Sequence, residues 1–366
     1  MTGDLFLLTH LSAPISRTQR RQAGAESPKL TRFPMSFQAF VLDRVEDEPT
    51  GGIRRLDVDD LPDADTLLDV AYSSLNYKDA LAVTGAGNII RGDFPIVPGI
   101  DLVGRVVETD GDRFSVGDAV IGTGWQLGEV VWGGYTQRAR VDAERLVPLP
   151  TDLTAEQAMT IGTAGLTAML SVMALEEHGV DPAEGEVLVT GASGGAGGMA
   201  VAILRALGYT TVASTGSEDA HAYLSDLGAD RIVERGAFDS GPSRPMESGR
   251  WAGAVDAVGG STLATIIAQL QRHGSVAAFG NAGGHELHTT VLPFILRGVN
   301  LLGIDSNTCP NPRRTTAWER IASVLDPAVI NRMRARTIGL SALPDAAAEV
   351  LDGAVRGRIL VDVDEA

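Results

Sequence analysis

Residues Glu186 to Gly208 confine the fold more tightly than any other stretch. Glu186-Val-Leu-Val-Thr190 is an apolar run of strand length. Gly191-Ala-Ser-Gly-Gly-Ala-Gly-Gly198 follows at once, and Met199-Ala-Val-Ala-Ile-Leu204 then opens an apolar helix that ends near Gly208. A strand, a glycine-rich turn and a helix in immediate succession are the context a dinucleotide-binding turn requires. Glycines let the backbone approach a pyrophosphate and let the helix pack close to its strand. The helix N-terminus offers unpaired N–H groups to the phosphates. The spacing is Gly191-x-x-Gly194-x-x-Gly197 rather than the strict Gly-x-Gly-x-x-Gly, because position 193 is Ser. Ser193, Gly194, Gly195, Ala196 and Gly197 are therefore the candidate phosphate-holding residues. Ser193 also shares letters with a nucleophile elbow, but the glycines that follow favour phosphate.

The alternation continues after that helix. Strands are expected at Thr210–Ser214, Trp251–Val258, Ser275–Gly280 and Val299–Ile304, with helices at Glu218–Leu227 and Ser261–Arg272. Strands alternating with helices predict a doubly wound parallel sheet. The chain before it has a different texture. Thr66–Ser73, Ile100–Glu108, Ala119–Gly122 and Tyr135–Val141 are short apolar or β-branched runs separated by Gly, Asp and Pro. Only Tyr77–Val83 has helical spacing there, so this part reads as a partly open antiparallel barrel. Thr154 and Gln157 have capping-box spacing, and Gly165–Glu177 is helical. Further helices are expected at Thr315–Leu325 and Leu343–Val355. Gly357–Val363 reads as an edge strand returning to the first domain, and Asp239–Arg250 as a surface loop. The predicted division is 1–34 as an N-terminal extension, 35–160 as the first part of one domain, 161–310 as the nucleotide-binding domain, and 311–366 as the return.

The tip of the second parallel strand selects between nicotinamide cofactors. An acid there would hold an unphosphorylated ribose. Instead Ser214-Thr-Gly-Ser217 closes the strand, and Glu218 and Asp219 fall in the next helical turn. Ser214, Thr215 and Ser217 can donate hydroxyls to a 2′-phosphate, and Arg235 follows the third strand. NADPH is the expected cofactor.

The net charge of −17, from 47 acidic and 30 basic residues, repels nucleic-acid phosphates and anionic lipid. Cys309 is the only cysteine, which excludes an intramolecular disulfide and a multi-thiolate metal site. The basic residues are 28 Arg and two Lys, Lys29 and Lys78. Residues 1–34 differ from the rest, with Arg17, Arg20, Arg21, Lys29 and Arg32 against Asp4 and Glu26, a local charge of +3. Met35 is read as the functional start and the preceding residues as a flexible tail. Elsewhere no uncharged run is expected to reach membrane-spanning length.

Several stretches together resemble a known family. They are Ser73-Ser-Leu-Asn-Tyr-Lys-Asp79, Phe94-Pro-Ile-Val-Pro-Gly-Ile-Asp101, Ile161-Gly-Thr-Ala-Gly165, Gly185-Glu-Val-Leu-Val-Thr-Gly-Ala192, Ala213-Ser-Thr-Gly216, Arg250-Trp-Ala-Gly-Ala-Val-Asp256, Pro293-Phe-Ile-Leu-Arg-Gly-Val299 and Leu302-Gly-Ile-Asp-Ser306. From Met35 onward the chain resembles the acrylyl-CoA reductase (NADPH) family, on the zinc-free, quinone-oxidoreductase side of the medium-chain dehydrogenase/reductase superfamily. The resemblance implies a GroES-like catalytic domain with a Rossmann-like domain inserted before its last segment. It implies NADPH, a homodimer, a soluble cytoplasmic enzyme, and reduction of acryloyl-CoA to propanoyl-CoA. It places Tyr77 near the nicotinamide, Gly194–Gly197 on the pyrophosphate, and Ser214–Gly216 with Arg235 on the adenosine side. Asn281, Ile295 and Ser306 become further cofactor contacts. Ser217 stands where the family often has Arg, and Asn281 where it usually has an apolar residue.

Reduction of an α,β-unsaturated thioester needs a stabilised oxyanion and a proton. Tyr77 is the candidate donor, Asn76 a candidate for orienting the carbonyl or carboxamide, and Lys78 either a functional ammonium or a structural ion pair with Asp101. The phosphates of CoA call for local basic residues. Arg297 is followed by Arg313, Arg314, Arg320, Arg332, Arg334 and Arg336, the last six within 24 residues. Arg313 and Arg314 rank first because the Pro310-Asn-Pro312 turn should expose them. A quinone or general enone reductase of the same fold remains the alternative activity, and a non-enzymatic nucleotide-binding role a second.

Overall fold

The computed structural model describes residues 36–46 and 48–365, so the expectations for residues 1–34 lie outside it. The chain opens with an antiparallel hairpin, β1 (Ser36–Val45) and β2 (Glu48–Asp57). Then come β3 (Thr66–Leu75), α1 (Tyr77–Thr84), β4 (Asp101–Thr109), β5 (Ala119–Thr123), β6 (Arg138–Val141) and β7 (Leu146–Pro148). α2 (Ala155–Glu177) crosses into a βα region of β8 (Glu186–Val189), α3 (Gly195–Ala206), β9 (Thr210–Thr215), α4 (His221–Leu227) and β10 (Arg231–Glu234). It continues through β11 (Trp251–Asp256), α5 (Gly260–Gln269), β12 (Leu270–Ala278), α6 (Leu292–Arg297) and β13 (Asn300–Gly303). α7 (Asn311–Val324), α8 (Pro327–Met333), β14 (Arg334–Gly339), α9 (Leu343–Leu351) and β15 (Arg358–Asp362) complete it.

The parallel sheet has the order β10-β9-β8-β11-β12-β13. Counted along the chain this is 3-2-1-4-5-6, the doubly wound arrangement whose switch point lies between β8 and β11. Both faces are covered, and the two central strands, β8 and β11, are mostly apolar and buried. Val187 and Val189 join the core with α2 and α3, while Leu188 packs on the opposite side with Leu263, Ile266 and Ile267 of α5. The other sheet has the order β14-β15-β3-β4-β5-β7, with β6 also pairing with β3. It is antiparallel except for β14 and β15 and encloses a second core around Phe40, Leu68, Leu102 and Leu146.

Two readings are corrected. β15 is not an edge strand: it lies between β14 and β3, and Arg358 to Val361 are buried. Residues 311–333 pack through Trp318, Ile321, Ile330 and Met333 in a core that holds α2 and α3 together with Val103, Ile121 and Val147 of the first sheet. The stretch Gln157 to Leu175 in α2 is uncharged and long enough to cross a membrane, yet 94% of its apolar window is buried inside the fold. β2 carries Pro49, Gly51 and Gly52 in its first half. A Cβ at Gly51 would lie 2.4 Å from Phe40, so the glycine makes room for a core aromatic on the paired strand.

α2 is broken at Gly162, which has φ 50° and ψ −158°. Its first turn is capped as expected: Gln157 N donates to Thr154 Oγ1 at 3.2 Å, and Thr154 N to Gln157 Oε1 at 3.0 Å. The break lets one helix serve both domains.

Candidate active site between the two sheets

The loops expected to hold the cofactor gather at the C-terminal edge of the parallel sheet. Ser193 to Gly197 follow β8, Ser214 to Ser217 close β9, Arg235 follows β10, Asn281 follows β12 and Ser306 follows β13. Ligands of open α/β sheets bind at this edge. Gly191 has φ 58°, a left-handed conformation costly for other residues. A Cβ at Gly197 would lie 2.3 Å from Gly191 O, so the turn folds this tightly only around glycine. Gly194 caps α3, and a Cβ there would meet only Gly191 O at 3.3 Å. The amides of the first helical turn have no acceptor within the helix. This cradle fits a pyrophosphate.

The strand tip is divided between packing and exposure. Ser214 and Thr215 are buried, and Thr215 Oγ1 lies 3.4 Å from Ser193 Oγ of the glycine-rich turn. Gly216 and Ser217 are exposed. A Cβ at Gly216 would be 3.3 Å from Cζ of Arg235, whose guanidinium therefore covers the tip. The acid nearest to it, Asp239, is 3.9 Å away. Asn281 and Ile295 are exposed, and Thr167 Oγ1 donates to Ser306 Oγ at 2.7 Å, joining the loop after β13 to α2. At the switch point Thr190 Oγ1 donates to Asp256 Oδ1 at 2.6 Å, and Gly259 N to Asp256 Oδ2 at 2.8 Å. Burial raises the Asp256 carboxyl above its ordinary range, against the pull of these bonds.

The wall that carries Tyr77 is built around buried polar groups of β3, β4, α1, α2 and β15. Asp101 Oδ2 accepts from Ser74 Oγ at 2.6 Å, Asn76 Nδ2 at 2.8 Å and Thr163 N at 3.0 Å. A Cβ at Gly162 would lie 2.6 Å from that carboxylate oxygen, so the break in α2 admits Asp101 to the helix. Asp79 accepts from Asn76 N at 3.0 Å and Ile100 N at 2.9 Å. Burial first, and the Asp101 charge second, push the Asp79 carboxyl up to about 7. Tyr135, also buried, donates to Ser74 O at 3.2 Å, and burial with the charges of Asp79 and Asp101 holds its phenol well above the usual range. Arg358 donates from Nε to Thr160 O at 3.1 Å, and from Nη2 to Ser74 Oγ at 2.9 Å and Asn76 Oδ1 at 3.0 Å.

Asn76, expected to orient the carbonyl or the carboxamide, has its side-chain amide engaged inside this wall. Its amide donates to Asp79 and Asp101 and accepts from Arg358. Tyr77, the first residue of α1, is 55% exposed. Lys78 pairs not with Asp101 but with Glu129, at 2.8 Å, while Arg91 takes the second oxygen of Glu129 at 2.7 Å. The sequence signal for Asp101 and Arg358 is weak, because their partners are scattered from Ser74 to Thr163.

The arginine cluster is mostly committed elsewhere. Arg314 is fully buried despite the preceding turn; it donates to Thr123 O and Thr123 Oγ1, and to the carbonyls of Ser306, Asn307 and Cys309. Burial lowers its guanidinium to about 10. Arg313 makes a two-point pair with Glu177 at 2.6 and 3.0 Å. Arg320, Arg334 and Arg336 pair with Glu176, Glu156 and Glu349. Arg297 donates to carbonyls of Ala268, Leu270 and Glu247. Arg314 is thus a structural residue and not a CoA contact, and Arg313 is neutralised by Glu177.

Residues 62–151 match the alcohol dehydrogenase GroES-like domain, and residues 195–323 the zinc-binding dehydrogenase family. Zinc does not fit here: Cys309 is buried, and among the described residues no group of three His, Cys, Asp or Glu could hold a metal ion. The chain is 49% identical over 330 residues to acrylyl-CoA reductase AcuI of Ruegeria pomeroyi, covering 90% of this chain and 99% of that one. The yhdH oxidoreductase of Salmonella enterica, solved in complex with NADP, is 48% identical with a TM-score of 0.86, covering 89% of this chain and 99% of that one. Bacillus subtilis yhfP, solved with NAD bound, is 43% identical with a TM-score of 0.87, covering 90% of this chain and 100% of that one. The chain belongs to the acrylyl-CoA reductase family of the medium-chain dehydrogenase/reductase superfamily.

Proposed function

We propose that this protein reduces the carbon–carbon double bond of acryloyl-CoA, giving propanoyl-CoA, with NADPH as cofactor. The observation that carries the reading is the 49% identity to an acrylyl-CoA reductase along nearly the whole of both chains. NADPH supplies the hydride for Cβ when bound at the glycine-rich turn. Gly194 to Gly197 hold its pyrophosphate, and Arg235, beside Ser217, holds the 2′-phosphate through charge-assisted hydrogen bonds. Asn281, Ile295 and Ser306 line the same edge.

Charge gathers on the thioester oxygen as hydride arrives, and Cα then requires a proton. We assign the hydrogen bond to that oxygen to Tyr77, whose exposed ring begins α1. Asn76, held by Asp79, Asp101 and Arg358, fixes the first turn of α1 and so the origin of the Tyr77 side chain. Lys78, next to Tyr77, and Arg91 share the buried carboxylate of Glu129, and the Lys78 charge also reaches Asp305. The soluble protein works in the cytoplasm, where both phosphorylated co-substrates are held, without nucleic-acid or membrane partners.

We also read it as a homodimer. Among the described residues β13 ends the parallel sheet and pairs on one side only; Leu301 on it is 38% exposed, and Val291, Leu292 and Leu296 are exposed as well. An edge strand with exposed apolar residues favours pairing with a second copy.

The deciding assay follows NADPH oxidation by the purified protein with acryloyl-CoA, crotonyl-CoA, a small enone and a quinone panel. Turnover on acryloyl-CoA far above the others is expected. Preference for quinones would replace this reading with the quinone reductase alternative, which the 44% identity to the putative quinone oxidoreductase YhfP favours.

A further inference from the structure

Arg358 reaches the cofactor turn from the opposite domain. It stands at the start of β15, and its side chain is only 5% exposed. A Cβ built on Gly195, the first residue of α3, would lie 2.8 Å from Arg358 Cδ and 3.1 Å from Arg358 Nη1. Glycine at 195 is what lets the guanidinium lie against the helix N-terminus. Nε and Nη2 are committed to Thr160, Ser74 and Asn76, whereas Nη1 makes one long bond, 3.4 Å, to Leu75 O. Its nearest carboxylate, Asp101, is 3.9 Å from Nη2 and is already served by Ser74, Asn76 and Thr163. A buried cation thus sits beside the helix end that prefers anions.

We propose that Arg358 completes the pyrophosphate subsite from the catalytic side, with Nη1 as donor and the guanidinium as the charge partner of a diphosphate oxygen. The same side chain grips Ser74 and Asn76, immediately before Tyr77. Cofactor phosphate and the Asn76–Tyr77 corner are therefore two contacts of one guanidinium. Arg suits this role because its planar fork serves several acceptors at once, which a lysine ammonium cannot do in the same geometry. The proposal rests on the dinucleotide reading of the Gly194–Gly197 turn.

The test compares the parent, Asp101→Asn, and the double variant Arg358→Met with Asp101→Asn, which removes both charges and avoids stranding a buried carboxylate. NADPH binding is read by fluorescence and 2′-AMP binding by calorimetry, since 2′-AMP occupies the Arg235 end without a diphosphate. The double variant should bind NADPH about ten- to a hundredfold more weakly than Asp101→Asn, while 2′-AMP stays within about twofold. Arg358→Lys, which keeps the charge, should recover part of the loss. Unchanged NADPH affinity in the double variant would overturn the proposal. So would an equal loss for 2′-AMP, which would mark Arg358 as a general support of the fold. A parent protein that binds 2′-AMP but gains nothing from the rest of NADPH would overturn the dinucleotide reading and the proposal with it.

Discussion

Arg235 and Asp79 show how much one charge can decide. The guanidinium of Arg235 covers Gly216, with Asp239 3.9 Å from its Nε, and is the charge partner proposed for a 2′-phosphate. Arg235→Ala should raise the KM for NADPH by roughly ten- to a hundredfold and leave that for NADH nearly unchanged. Steady-state kinetics with both cofactors measure this, and equal effects would remove Arg235 from the site. Asp79 is fully buried with its carboxyl near 7, against 3.8 in the unfolded chain. Between those values the folded protein holds a proton that the unfolded chain has released. Its stability therefore falls as pH rises from about 4 to 7 and levels off above, because the unfolded state binds fewer protons. Asp79→Asn should flatten that slope in urea unfolding followed from pH 5 to 8; parallel slopes would contradict it. Neither the buried state of Asp79 nor that of Arg314 could be read from the sequence. Asp79 lies in a helix-opening motif, and Arg314 follows a proline turn that suggests exposure. Burial was decided by elements far away in the chain.

Elements whose reasons are local were legible. The apolar strand, glycine turn and apolar helix from Glu186 onward form β8, the cradle and α3. Thr154 and Gln157 cap α2 as their spacing predicts. The break in α2 was not legible, because Ile161-Gly-Thr-Ala-Gly165 resembles ordinary helix with small residues. Its cause is Asp101, which reaches into the helix and accepts from the amide of Thr163. Gly162→Ala would place a methyl 2.6 Å from that carboxylate at a positive φ. A loss of about 2 kcal/mol or more in unfolding free energy is expected, with activity falling further because Asp101 also holds Asn76. A variant within about 0.5 kcal/mol of the parent would show that the helix can straighten. The arginines of α7 and β14 were misread for a related reason. Glu156, Glu176 and Glu177 on α2 take three of them in pairs, so they fasten helix to helix and strand to helix.

At the scale of the whole molecule, the edge strand β13 carries the dimer reading. Leu301→Lys should shift the protein toward monomer in sedimentation while its melting temperature stays close to that of the parent. A dimer that persists would place the interface elsewhere. The other large-scale feature is β15, the last strand, which sits inside the first domain's sheet between β14 and β3. During synthesis the parallel sheet has all its strands once Gly303 has emerged, but the Tyr72–Leu75 half of β3, beyond its pairing with β6, keeps a bare edge until residues 358–362 arrive. At roughly 5–20 residues per second the ribosome needs about 15–60 s to travel from β3 to β15. The domain begun first is therefore finished last, and the same closing step brings Arg358 to the nucleotide turn. A nascent chain arrested before Arg358 should bind 2′-AMP while its first domain stays open to protease. Catalytic competence is thus expected to wait for β15: a fragment released before Arg358 should hold a nucleotide domain but no working enzyme.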